Sequence, residues 1–369
     1  MTMQASSRER YLFIDGLRAA AIMWVLIHHA FYFFDMYQWL GNSHVLSRFA
    51  RNGLFGVDLF FVISGFLITG LLLDDGSQAP DLRRFYTRRF FKIYPQYASA
   101  LLFCLALPWI VPASVLPVSV HSLEPVAYLK HFFLVQNYYG PNLDTFGNSW
   151  SLAVEEHFYL IFPLIVWLVC KCWSGHFRRV ALGIVLLGLI AWVIWNRASS
   201  NGLDALCRMT APPDPAQATL IRVDAILVGC MLKVLEPLIR MLPRAASLFF
   251  AAAALSGYTY LFLTSGDRLT VLAIVLSWMS AAGIFMAGYL RLWGMRNALE
   301  TAPVRWVGRQ SYGIYLWHYP LIFVLLPFKH FLPAPLGTAV FMGIAVLVGY
   351  LSTMTIEKYA LALRQQVAP

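Results

Sequence analysis

Along the chain, apolar positions gather into ten runs near the length of about 20 residues that a bilayer core requires. They cover residues 12–34, 54–73, 93–112, 151–170, 179–195, 219–235, 245–263, 269–290, 311–328 and 335–356, the fifth and sixth being short for the task. The pattern predicts an all-α polytopic membrane protein of about ten transmembrane helices, organised as a single domain over residues 1–369, with no internal repeat and no low-complexity linker. The first run is too long for a signal-peptide core, contains Asp15 and Arg18, and lacks a small-x-small cleavage pattern, so it reads as a retained span. Two longer connections stand out. Residues 113–150 carry "VAYLKHFFLVQNYY", too short to cross and suited to a surface or half-inserted helix; residues 196–218 hold Pro212, Pro213 and Pro215 and read as irregular.

Composition fits the pattern: 59% of residues are hydrophobic and 12% charged, outside the range of ordinary globular domains. With the N-terminus inside, 19 of the 28 Lys and Arg fall on inner segments, seven on outer ones and two within spans. That bias places both termini in the cytoplasm and the protein in the cytoplasmic (inner) membrane. The net charge of +10 therefore calls for no nucleic acid. The five cysteines form no disulfide framework, and Cys170 and Cys172 have no further ligand nearby in sequence, so no metal is expected.

The polar residues inside the runs need an explanation. Arg18, Asp58, Glu155, Glu156, Arg222 and Asp224 all lie within spans. Six such groups at roughly 2.5 to 3.5 kcal/mol each total on the order of 15 kcal/mol, as much as the whole stability of a typical domain. They must face one another or water. On a helix, the eleven steps from Arg18 to His29 rise about 16 to 17 Å and return to nearly the same face, with His28 about 80° away. Arg18 taken alone also fits an interfacial arginine paired with Asp15. Span direction puts Asp58, Glu155, Glu156, Arg222 and Asp224 in the outer halves of their helices, level with His29. The expectation is an intramembrane acid–base site in which Glu155 or Glu156 orients His29, with Asp58 beside them. A purely structural polar network is the competing reading, chiefly for Asp58 and Asp224. Arg222, Asp224, His318, Ser149 and Trp150 form a second tier.

A basic cluster lies at the inner face: "DLRRFYTRRFFKIYPQY" holds Arg83, Arg84, Arg88, Arg89 and Lys92 before the third span. Positive-inside bias or anionic membrane lipid accounts for such a cluster, and so does a phosphate clamp, because arginine presents a planar fork to phosphate oxygens. Ser64, Ser149 and Ser151 are hydroxyls able to carry an acyl group, although none sits in a nucleophile elbow. Buried carboxylates with histidine also suit a proton-coupled transporter or flippase; the lack of an inverted repeat counts against that class.

Six blocks then appear in order: "LRAAAIMWVLIHH", "GVDLFFVISGFLIT", "RRFFKIYP", "NSWSLAVEEHFY", "RVDAILVG" and "SYGIYLWHYPL". Together they resemble the family-three integral-membrane acyltransferases over nearly the whole chain, Lys92 departing from the family's more usual arginine. The resemblance implies transfer of an acyl group, commonly acetyl, from a cytoplasmic acyl-CoA to a hydroxyl of a carbohydrate or related acceptor. Arg18, Arg88, Arg89 and Lys92 would hold the CoA phosphates, and His29 would serve as base or acyl carrier. Some relatives carry an added hydrolase-like domain. Without one, the chain is expected to finish the transfer alone, as a homodimer, or with a separate acyl-accepting protein.

Overall fold

The structure, a computed structural model, describes residues 11–42, 44–73, 79–112, 114–116, 125–138, 144–198, 219–263, 271–292 and 294–367. Its regular structure is helical, with no strand among the described residues. Ten helices follow the ten apolar runs: α1 (Leu12–Phe33), α2 (Gly56–Leu73), α3 (Leu82–Ile110), α4 (Ser149–Cys172), α5 (Gly175–Ala198), α6 (Asp224–Val234), α7 (Ala246–Leu263), α8 (Val271–Tyr289), α9 (Ala302–Leu325) and α10 (Ala334–Ser352). The chain is a multi-pass membrane protein.

Among the described residues, eight helices are long and apolar enough to cross a bilayer. The sixth run is not one unbroken helix: Thr219–Arg222 forms one turn, Val223 follows it, and α6 adds only 11 residues. Helix α6 sits against α2, so neighbouring protein covers it where a lone helix would need its own apolar length. Other boundaries moved outward. Helix α3 starts at Leu82, where the Asp81 carboxylate accepts the Arg84 backbone N–H at 3.0 Å. Helix α9 starts at Ala302 with a proline in its first positions. Both starts are amphipathic, so the basic cluster belongs to α3 itself instead of preceding it.

Helix α2 lies at the centre, with 78% of its most apolar window buried, against 17% for the peripheral α5. Helices α1, α6 and α8 pack on α2, while α9 packs on α1 and α10. Phe177, Ile184, Trp195, Phe249 and Leu255 on α5 and α7 stay exposed, as an apolar solvent permits. At the contact of α2 with α6, a Cβ added to Gly65 would lie 1.9 Å from the Ile226 carbonyl oxygen, and one added to Gly229 would lie 2.0 Å from that of Val62. Only glycine allows backbones this close, the small-residue packing common between helices in lipid. Past α10, a π-helical turn (Thr353–Glu357) leads into α11 (Lys358–Val367). The expected surface helix in residues 113–150 is present as Pro125–Phe132, with Val126 and Leu129 exposed. Residues 199–218, including Cys207 and the proline cluster, lie outside the described residues.

Candidate active site

Five helices turn residues to a common cavity of about 140 Å³. Helix α2 contributes Val57, Phe60, Ser64 and Leu67, and α4 contributes Ser151, Leu152, Glu155 and Tyr159. The spacings of three and four are those of one helical stripe. Ser311, Tyr312 and Tyr315 come from α9, Arg89 and Lys92 from α3, and Arg18 from α1. Three cations, two carboxylates (Glu155 and Glu156) and six hydroxyls thus meet an apolar wall.

The cations are held differently. The Arg18 Nε donates to the Ser311 hydroxyl at 3.1 Å, and the Arg89 guanidinium lies 4.8 Å from the centre of the Tyr159 ring. Among the described residues neither is in an ion pair, so the expected local pairing of Arg18 with Asp15 does not form. Lys92 pairs with Glu357, which also accepts from the Gln96 amide at 2.6 Å. Glu357 reaches them because the π turn widens the end of α10. Arg88 does not line the cavity; one residue from Arg89, it is about 100° round the helix.

Three other expectations are corrected. His29 is not oriented by Glu155 or Glu156. Its Nδ1 lies 3.0 Å from the Val25 carbonyl oxygen and 3.3 Å from Nε2 of His318, and neither carboxylate contacts it. Depth counted along a run does not by itself decide contact, because helix rotation and tilt also set which side chains meet. Glu155 instead accepts from the Tyr159 hydroxyl at 3.0 Å, and that oxygen is hydrogen-bonded to Ser64. Asp58 is not in the cavity either. Arg222 donates to it at 2.7 Å, Ser277 donates to its second oxygen, and the Arg222 guanidinium stands 5.4 Å from the centre of the Trp150 ring. This cluster joins α2, α4, α8 and the Thr219–Arg222 turn, which is the structural reading of Asp58. Asp224 likewise begins α6 and accepts the Ala225 backbone N–H. Ser149 accepts from Gln136 at the start of α4 and is not a cavity residue.

His318 moves to the front. Its Nδ1 lies 2.6 Å from the Tyr315 carbonyl oxygen. Each imidazole therefore meets a carbonyl at Nδ1, and a carbonyl can only accept, so in the neutral rings Nδ1 carries the proton. His29 Nδ1–H then points to Val25 and to the acceptor Nε2 of His318, and Nε2 of His29 keeps its lone pair. Backbone carbonyls do the work expected of a carboxylate. Tyr315 links the pair to the cavity: its carbonyl holds His318 and also accepts from Asn148 at 2.6 Å, while its hydroxyl lies 2.6 Å from Ser151 in the cavity wall. Tyr159, Tyr312, Tyr315 and Glu357 were not singled out from sequence. The first three repeat at helical spacing beside residues that were, a signal available in advance.

An unbroken α1 carrying Arg18 and His29, a cavity of arginine, carboxylate and hydroxyl groups, and a core of apolar helices make this an integral-membrane protein with a polar internal site. The chain belongs to the acyltransferase domain family, whose profile matches residues 11–354. It is 30% identical over 349 aligned positions to the peptidoglycan O-acetyltransferase OatA of Listeria monocytogenes, covering 87% of this chain and 51% of that protein. To the O-acetyltransferase OatA of Staphylococcus aureus it is 27% identical over 340 positions, covering 84% of this chain and 50% of the relative. The chain thus spans about half the length of these curated relatives. No solved structure matches it.

Proposed function

We propose that the chain is an O-acetyltransferase of the inner membrane that takes acetyl from acetyl-CoA at the cytoplasmic face and passes it to a hydroxyl of an envelope carbohydrate, of the peptidoglycan kind that the relatives' names give. The observation that carries this reading is the pair of guanidiniums, Arg18 and Arg89, without ion-pair partners at a membrane cavity. Partly buried cations without a carboxylate partner favour an anion, and phosphate oxygens suit the arginine fork. A cavity of about 140 Å³ takes an acyl group and the adjoining thioester but not a nucleotide, so the CoA phosphates belong at its mouth with Arg18, Arg89 and Lys92. The phosphates would compete with Glu357 for Lys92. On the acceptor side, the lone pair on Nε2 of His29 takes the hydroxyl proton, and His318 shares the charge that the pair then holds.

The test is acetyl-CoA binding to the purified chain in detergent. Arg89→Ala should weaken binding by about tenfold or more, the worth of one charge-assisted hydrogen bond. Arg88→Ala should leave it within about twofold. Equal losses at both positions would mean a diffuse basic field and no clamp. A protein that neither binds nor cleaves acetyl-CoA would favour a transporter.

A further inference from the structure

We propose that Ser64 is a covalent acyl carrier, activated through Tyr159 by Glu155, so that the thioester is opened on the cavity side before the acceptor is engaged. The inference rests on the reading that the cavity receives an acyl thioester. It begins from a mismatch in that reading: the imidazole pair has no carboxylate, and the carboxylates have no imidazole. Glu155 lines the cavity and accepts the Tyr159 proton. Because that phenol hydrogen is committed to Glu155, the hydrogen bond between Ser64 and Tyr159 has the serine as donor. The result is an ordered chain from serine to phenol to carboxylate, the arrangement of a nucleophile, a base and a group that orients the base.

The other cavity hydroxyls are occupied otherwise. Tyr312 donates to the Ile93 carbonyl and Tyr315 to that of Asn148. Ser151 is bound to Asn148 and Tyr315, and Ser311 accepts from Arg18. Apart from Tyr159 itself, Ser64 is the one described cavity hydroxyl with a route to a carboxylate. Arg89 over the face of Tyr159 favours negative charge on the ring as its proton departs. Ser64 is partly open to the cavity, while Gly65, the next residue, is pressed against α6, so the helix that carries the nucleophile is fixed in place.

The step balances. The Ser64 oxygen bonds to the thioester carbonyl carbon as its proton passes to Tyr159 and the Tyr159 proton passes to Glu155. The carbon–sulfur bond breaks, and the thiolate leaves with the proton from Glu155 as free CoA thiol. The acceptor hydroxyl then attacks the seryl ester, forming the product ester and returning the proton to Ser64.

The experiment incubates the full chain in detergent with labelled acetyl-CoA and no acceptor, and reads three quantities: acetyl-CoA binding, a burst of thiol release, and the label's position by peptide mass spectrometry. The wild type should give a stoichiometric burst with acetyl on Ser64. Ser64→Ala should still bind acetyl-CoA but show neither burst nor label. Tyr159→Phe, which keeps the ring under Arg89, should slow the burst by about a hundredfold or more without loss of binding. An undiminished burst in Ser64→Ala, a label on His29, or turnover with acceptor but no burst without it would overturn the proposal while leaving the donor reading intact. Absence of acetyl-CoA binding in the wild type would remove both.

Discussion

His29 and His318 differ in how far a residue alone reveals its role. His29 stands eleven residues from Arg18, and that spacing marks it. His318 looks like a lone packing histidine until its Nε2 is found 3.3 Å from His29. The tautomer follows from Val25 and Tyr315, whose carbonyls leave no choice of proton position in the neutral rings. His29→Ala and His318→Ala should each lower acetyl transfer to a saccharide acceptor by about 10² to 10⁴, with normal expression and an unchanged thermal melt. Transfer at wild-type rate in either variant would take that ring out of the chemistry. Asp58 teaches the opposite lesson. A carboxylate in a span suggested catalysis, yet Arg222 and Ser277 hold both of its oxygens and it does not line the cavity.

At the scale of helices, the cavity exists because α2 serves two faces. One carries Val57, Phe60, Ser64 and Leu67 to the cavity, and the other carries Gly65 against α6. The hydrophobic runs made the helices legible, because an uninterrupted apolar length has few other folded uses. Boundaries were less so. Leu82–Lys92 and Ala302–Gln310 are polar extensions that an apolar count cannot see, and the first of them brings Arg89 and Lys92 to the cavity. Gly65→Ala or Gly229→Ala must push a methyl into a carbonyl 1.9 or 2.0 Å away. The expected cost is about 1 to 3 kcal/mol or more, read as a lower melting temperature and lower yield in detergent. Gly188, with open space where its Cβ would lie, is the matched control: Gly188→Ala should melt like the wild type.

Across the whole molecule, one polar knot joins the ends of several helices outside the cavity. Glu236, just past α6, receives Tyr11, Tyr289 and Arg240 on one oxygen and Lys233 at 2.8 Å on the other. Burial by itself would raise its pKa, but the bonds from Lys233, Tyr289 and Arg240 outweigh that and bring it to about 2. A carboxylate depressed in the folded state stabilises it above its unfolded value and loses that contribution as pH falls through the folded one. The wild type should therefore melt higher than Glu236→Gln at pH 6, and the gap should narrow below an unfolded value of about 4.3 toward pH 2. A gap independent of pH over that range would show that ionisation of Glu236 contributes nothing.

The sequence by itself determined the class of the protein. Ten apolar runs, an uneven spread of basic residues over alternate connections and six ordered motif blocks are local or one-dimensional features, and the bilayer reads them in one dimension. It also placed Arg18, Arg89, Lys92, Glu155 and Glu156 among the site residues, and the tertiary structure brings all five to one cavity. What the tertiary structure decided is who partners whom: His29 with His318, Glu155 with Tyr159 and Ser64, Asp58 with Arg222, and Lys92 with Glu357. The physical reason is that a buried polar group must find a partner within about 3 Å. Which group stands there depends on helix rotation and depth, and those are set by packing of glycines and aromatic rings between segments far apart in sequence.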